Sequence, residues 1–363
     1  MNELAGHVLT PEGWRAGRVV FDTRVHAIEP SPVADDAPRI VPGFVDLHVP
    51  GGGGGDTMAG EDGVRAAARL HARHGTTSLL AAAVTAPPAD LLAAAAGVGR
   101  VAAARRPGEA RVLGLHLEGP FLNPARLGAQ PPFPQAPDAA LVDRIAAAAP
   151  LRLVTLAPEL DAGFALTRRL AAAGIVVQIG HTEADYDTCL GALAAGARSF
   201  THLFNAMTRL DHRAPGAVGA ALAAAEYAAV IPDLVHVHAG ALRAALRAVP
   251  RLYATTDATA AAGMPDGEYP LGRHTVAKRG DAVFLPDGTL AGSALTMDRA
   301  LAVLVGLGLD LADAVRRVST FPADLLGLAE RGRIAPGAFA DLVVLEPALT
   351  VCAVYVEGTP LAS

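Results

Sequence analysis

From residue 42 to residue 330, short apolar runs alternate with longer Ala/Leu/Arg segments. The runs stop abruptly, as Arg111-Val-Leu-Gly-Leu-His-Leu-Glu118 does at Gly119-Pro120, and read as strands. The longer segments, at 62–74, 88–105, 138–148, 161–173, 184–195, 239–248 and 296–306, have helical length. Strands alternating with such helices imply βαβ units on a parallel sheet. Roughly eight units close more economically into a (β/α)8 TIM-type barrel than into an open doubly wound sheet. No Gly-x-Gly-x-x-Gly turn of the dinucleotide-binding kind stands at a suitable place. The two ends of the chain read differently. Arg18-Val-Val-Phe21, Val25-His-Ala-Ile28, Asp341-Leu-Val-Val-Leu345 and Val351-Cys-Ala-Val-Tyr-Val356 are β runs punctuated by turns. Residues 1–41 and 331–363 are therefore expected to meet in a small β-sandwich beside a barrel over 42–330.

The polar residues that end the apolar runs share one placement. Val41-Pro-Gly-Phe-Val-Asp-Leu-His48 ends in Asp46 and His48, and the run 113–117 ends in Glu118. Further along, 175–180 ends in His181, 197–202 in His202 and 252–257 in Asp257, while 230–233 leads on to His236 and His238. If these are parallel barrel strands, their ends converge on the carboxyl-terminal rim, where barrel enzymes keep their catalytic groups.

A Glu, several His and an isolated Asp suit a catalytic metal site, which uses three protein ligands and keeps a position open. In that scheme Glu118, His181 and His202 are ligands and Asp257 is the acid/base. It takes a proton from a metal-activated water and passes it to a leaving amine. Each residue also has a plainer reading. A Glu at a turn is usually hydrated, and Asp257 after two threonines could cap the next segment. A single His is usually no more than hydrogen-bonded, the reading given to His7, His26, His71, His74 and His274. These plainer readings are independent of one another, whereas the strand-end placement is shared. The run Gly51–Gly55 could offer N–H groups to a phosphate, but no Lys-Ser/Thr follows it, so a flexible strand-to-helix loop is expected.

Composition narrows the classes. With 52% hydrophobic and 18% charged residues, a sizeable core forms and general disorder is excluded. The net charge of −6 and the lack of a Lys/Arg run remove the footprint of a nucleic-acid binder, while a small anionic substrate needs only a few local cations. Cys189 and Cys352 alone make neither a disulfide framework nor a Cys-rich zinc site. The start MNELAGHVLT lacks a basic and then apolar leader, and 91–104 is too weakly apolar to span a bilayer, so a cytoplasmic protein is expected.

Several stretches together resemble the N-acetylglucosamine-6-phosphate deacetylases of the amidohydrolase superfamily, over almost the full length. They are Pro42-Gly-Phe-Val-Asp-Leu-His48, His116-Leu-Glu-Gly-Pro-Phe-Leu-Asn-Pro124, Gly180-His-Thr182, Thr201-His-Leu-Phe-Asn-Ala-Met207, Thr256-Asp-Ala258, Ala262-Gly-Met-Pro-Asp-Gly-Glu268 and Leu290-Ala-Gly-Ser-Ala-Leu-Thr-Met-Asp298.

The resemblance implies a barrel with a sandwich from both termini, and one divalent ion, zinc or ferrous iron, on Glu118, His181 and His202. Asp257 is then the general acid/base. Ala129, Gln130, Asn205, Ala206, His236 and the backbone of Leu290, Ala291 and Gly292 contact an amino-sugar phosphate. Arg213 is the phosphate-binding residue, supplied across a homodimer interface.

Two positions depart from the family. Where members with a second ion carry His-x-His, this chain has His48-Val-Pro50, so only His48 remains for that ion. Gln130 stands where the family usually has His; it can donate a hydrogen bond but carries no charge. The expected reaction is hydrolysis of the acetamido group of N-acetylglucosamine 6-phosphate. The alternatives are the same chemistry on N-acetylgalactosamine 6-phosphate, another amidohydrolase acting on a cyclic amide, or a non-catalytic sugar-phosphate sensor.

Overall fold

Strands such as Thr76–Ala83 and Phe44–Val49 are buried at every position, because helices cover one face and the barrel interior the other. That is why they read as continuous apolar runs rather than as alternating ones. The computed structural model describes residues 1–361. In ring order, the barrel strands are Phe44–Val49, Thr76–Ala83, Arg111–Glu118, Leu151–Leu156, Val176–Ile179, Ser199–Phe200, Tyr227–Val230 and Arg251–Ala254. The first six form one parallel ladder and the last two another. The gap between the ladders is bridged by Leu203 N–H donating to Ala229 O at 2.7 Å.

The ring closes between its last and first strands. Asp257 N–H donates to His48 O at 3.0 Å, and the buried Asp46 accepts from the hydroxyls of Thr255 (2.8 Å) and Thr256 (2.5 Å). A carboxylate at the seam thus fastens the first strand to the last.

The helices lie where the Ala/Leu/Arg segments predict, at Glu61–Arg73, Pro88–Ala103, Ala139–Ala148, Tyr186–Ala194, Ala239–Ala248 and Met297–Gly306. Asp138 and Asp185 start two of them by accepting hydrogen bonds from the first-turn amides. The segment 161–173 yields a shorter helix, Ala165–Ala172, because Asp161 instead binds the amides of Leu166 and Thr167. Helices Gly216–Ala224, Leu311–Val318 and Thr320–Leu325 go beyond the expected set.

A larger difference lies at 267–293, where Gly267–Leu271, His274–Arg279, Ala282–Phe284 and Leu290–Ser293 make a four-stranded antiparallel sheet inserted into the barrel segment. Among the described residues, no helix is long and apolar enough to cross a membrane.

Both chain ends build one seven-stranded sheet, in which Arg39–Pro42 runs parallel to Asn2–Thr10 and antiparallel to Leu342–Leu345. The run 41–48 therefore breaks in two at Gly43, where the chain leaves this sheet for the barrel. A Cβ at Gly43 would sit 2.2 Å from Thr77 Oγ1, so only glycine passes there.

An ion network ties the terminal sheet to the third barrel strand. Glu357 receives Arg111 Nη2 at 2.7 Å and Arg331 Nη2 at 2.5 Å, and Arg331 also pairs with the buried Asp341. Burial opposes the charge on Glu357, but Arg111 and Arg331 outweigh it and hold its pKa down to about 2 from an ordinary 4.5. A depressed carboxyl pKa stabilises the fold above pH 4.5, and that stability drains away as the pH falls through about 2. Glu357→Gln is expected to lose about 2 kcal/mol at pH 7, after discounting for solvent screening. The loss shrinks towards zero at low pH, and urea melts at pH 7 and pH 3 check both.

Candidate metal centre

The carboxyl ends of the barrel strands gather the polar residues at one rim. Glu118 closes the third strand, His181 and His202 follow the fifth and sixth, and Asp257 follows the eighth. The backbone there leaves strand geometry, with φ of +50° at His181, +27° at His202 and +50° at Asp257. Left-handed backbone costs a non-glycine residue roughly 1–3 kcal/mol and persists only where the surroundings over-determine it. Here Asn123 N–H donates to His181 O (2.9 Å), and Ser293 N–H donates to Asp257 O (2.8 Å).

Glu118, His181 and His202 converge. Glu118 Oε1 lies 3.2 Å from His181 Nε2 and 3.1 Å from His202 Nε2, and the two nitrogens are 3.0 Å apart. A tetrahedron with its centre 2.0–2.1 Å from each corner has edges of about 3.3 Å, so the spacing suits a zinc-sized ion. The hydrogen bonding agrees. His181 donates from Nδ1 to Arg126 O at 2.8 Å, which turns Nε2 towards the carboxylate oxygen. Burial pushes the His202 pKa down and favours its neutral form. Lone pairs packed at this distance repel one another, and a cation among them turns that repulsion into attraction. Burial alone would raise the Glu118 pKa, but the charge of His48, with its close polar neighbours, outweighs burial and holds it well below the usual range.

A second group adjoins the first. His48 Nε2 is 3.1 Å from Glu118 Oε2 and 3.4 Å from Asp257 Oδ1, without hydrogen-bond alignment to either. These three could also surround a cation. Burial would lower the His48 pKa, but the two carboxylates raise it to about 9, so the charged ring itself sits between them. Burial, then the charge of Glu118, pushes the Asp257 pKa up against the opposing pull of His48. Pro50 lines the cleft where a second histidine of a His-x-His pair would stand, and it offers no ligating atom.

Above these groups opens a cleft. Ala129, Gln130, Asn205, Ala206, His236, Leu290 and Gly292 line it, with Val84, Ile231, Thr259 and Leu271. His236 is oriented by Asp233, whose carboxylate takes its Nδ1 at 2.6 Å and leaves Nε2 as the free ring nitrogen.

The placements of Gln130 and His238 differ from the reading of the sequence, while those of Ala291 and Arg213 leave it open. The Ala291 side chain is buried with Val84, Leu271 and Val276, so only its backbone is left for the expected contact. Arg213 is exposed and does not line its own chain's cleft. Gln130 lines it, but each end of its amide is held by a protein partner: Nε2 donates to Glu118 Oε2 at 2.5 Å, and Oε1 accepts from Thr85 N–H at 2.7 Å. His238 caps the helix Ala239–Ala248 instead of joining the site.

Elsewhere, the glycine run forms a hairpin, Gly51–Gly52 with Gly55–Asp56, pinned by Gly51, Gly53 and Gly54 N–H groups on the carbonyls of 258–262. It packs against the helix Glu61–Arg73, so the flexible loop is replaced by a fitted one. His116 bonds both ring nitrogens, to Leu47 O and Thr155 Oγ1, and is no ligand. Asp46, Arg126 and Asp233 hold the site groups in place. Nothing in the sequence marked them except that Asp46 and Asp233 end apolar runs.

The chain has relatives among known proteins. The amidohydrolase family profile matches residues 39–361. An N-acetylgalactosamine-6-phosphate deacetylase of Escherichia coli O157:H7 is 37% identical, covering 98% of this chain and 97% of that one. An N-acetylglucosamine-6-phosphate deacetylase of Homo sapiens is also 37% identical, covering 97% and 92%. A solved structure of N-acetyl-D-glucosamine-6-phosphate deacetylase from Mycobacterium smegmatis, a mutant in complex with N-acetyl-D-glucosamine-6-phosphate, superposes with a TM-score of 0.92. It is 38% identical, with 99% of each chain covered.

Proposed function

The chain belongs to the amidohydrolase family, and from that premise we propose that it removes the acetyl group of N-acetylglucosamine 6-phosphate, giving glucosamine 6-phosphate and acetate. The observation that carries the reading is the convergence of Glu118, His181 and His202 within 3.0–3.2 Å, with Asp257 one residue away across His48. Glu118, His181 and His202 hold one divalent ion, zinc or ferrous iron, both of which suit this donor set. When bound, the ion supplies a water of near-neutral pKa and polarises the amide carbonyl. Asp257 accepts the proton of the attacking water and returns it to the departing nitrogen. His236, held by Asp233, directs Nε2 to the acetyl oxygen as charge develops there. Asn205, Ala129 and the backbone around Leu290–Gly292 seat the sugar. His48 stays with its one imidazole beside Pro50, short of a full second site.

Arg213, exposed in a loop at the barrel mouth, takes the phosphate of the substrate bound by the partner subunit of a homodimer. Its guanidinium fork matches phosphate geometry. A phosphorylated sugar does not cross membranes unaided, so the setting is the cytoplasm. For Arg213→Ala the expected result is a KM raised about tenfold or more, kcat changed little, and a wild-type rate on the unphosphorylated sugar. Steady-state kinetics on both sugars check it.

The second reading, N-acetylgalactosamine 6-phosphate, is favoured by the relative of that name that matches nearly end to end. Acetate release from the two phosphosugars by metal-loaded protein decides between them. A higher kcat/KM on the gluco epimer supports the first reading, and a higher value on the galacto epimer replaces it.

A further inference from the structure

We infer that Gln130 is a positioning residue for the metal ligand Glu118, not a contact to the sugar phosphate. The inference rests on the reading above that Glu118 holds the ion. The two oxygens of Glu118 face different company. Oε1 meets the two imidazoles at 3.1–3.2 Å, while Oε2 accepts from Gln130 Nε2 at 2.5 Å. The far side of the Gln130 amide is fixed as well, because Oε1 accepts from Thr85 N–H at 2.7 Å.

Only this amide orientation satisfies both neighbours. Turned over, the amide oxygen would face a carboxylate oxygen and the NH₂ group would face a backbone N–H. Gln130 is 9% exposed and Glu118 3%, so both bonds are largely shielded from bulk water. Thr85 also donates from its hydroxyl to Glu118 O at 3.4 Å, so one loop holds the ligand by backbone and, through Gln130, by side chain.

The consequence for the site is a division of labour. Oε2 is held by a neutral donor that adds no charge, and Oε1 is left turned towards His181 and His202. Without the amide, the carboxylate is free to rotate, carrying Oε2 towards His48 Nε2, 3.1 Å away, and Oε1 out from between the imidazole pair. Partners of this kind set the orientation of a ligand, and losing one typically weakens metal binding 10–100-fold.

The test is a calorimetric titration of the full-length, metal-stripped protein with Co(II), with no sugar present, on Gln130→Met and Gln130→Asn. The first keeps the volume without the donor, and the second keeps the amide one methylene too short to reach both partners. If Gln130→Met does not fold by circular dichroism, Gln130→Asn carries the same test.

Expected is a Kd for the first ion raised about 10–100-fold, with an altered visible Co(II) spectrum. An unchanged Kd and spectrum, with only KM for the phosphosugar raised, would overturn the inference and return Gln130 to substrate contact. Glu118→Gln run alongside separates the two levels. If it also binds Co(II) normally, the ligand assignment is wrong. If it loses the ion while the Gln130 variants keep theirs, only the positioning role is wrong.

Discussion

Asp257→Asn is expected to keep the fold and the bound ion and to lose turnover by about 10²–10⁴-fold, the usual worth of a positioned acid/base. The substitution changes one atom. The backbone of residue 257 stays pinned by His48 O and Ser293 N–H, and the left-handed φ of +50° is one that asparagine tolerates about as well as aspartate. What goes is the ability to take a proton. Burial and the neighbouring charge of Glu118 already push the Asp257 pKa up, which suits a group that must both accept and release a proton. The checks are kcat from acetate release, metal content, and a melting temperature within a few degrees of wild type. A near-normal kcat in a metal-loaded variant would show that another group carries the proton.

Glu118→Gln is the second large effect. It removes the single carboxylate from a set completed by two imidazoles and leaves a neutral amide in its place. Metal affinity is expected to fall by more than the 10–100-fold that loss of an outer partner brings, and turnover falls with it. Stability follows by linkage. An ion present at 1,000 times its Kd stabilises the folded chain by about 4 kcal/mol, so a chelator should lower the melting temperature of wild type and leave Glu118→Gln unmoved. Melting curves with and without chelator check this independently of activity.

The sequence carries the barrel well because its strands are buried on both faces and its helices are long, so strand and helix differ in length and in pattern. The antiparallel sheet at 267–293 escapes that reading. Gly267-Glu-Tyr-Pro-Leu271 mixes glycine, proline and charge because much of it is exposed, and its strands are defined by one another rather than by a core. The site divides in the same way. Glu118, His181, His202 and Asp257 are legible since each ends a strand, and parallel strands bring their ends together. Gln130 is not, because its role is a hydrogen bond to Thr85, 45 residues earlier, and to Glu118. The hairpin at Gly51–Asp56 depends on its fit to the helix Glu61–Arg73, which no local signal announces.

The most direct measurement is acetate released from N-acetylglucosamine 6-phosphate by metal-stripped protein to which Zn(II) is returned in known amounts per chain. Activity should start from the chelated baseline, rise linearly and level off at one ion per chain, with Asp257→Asn flat throughout. Turnover that is already full without the ion, or that rises only as a second equivalent binds, would contradict a single ion held by Glu118, His181 and His202.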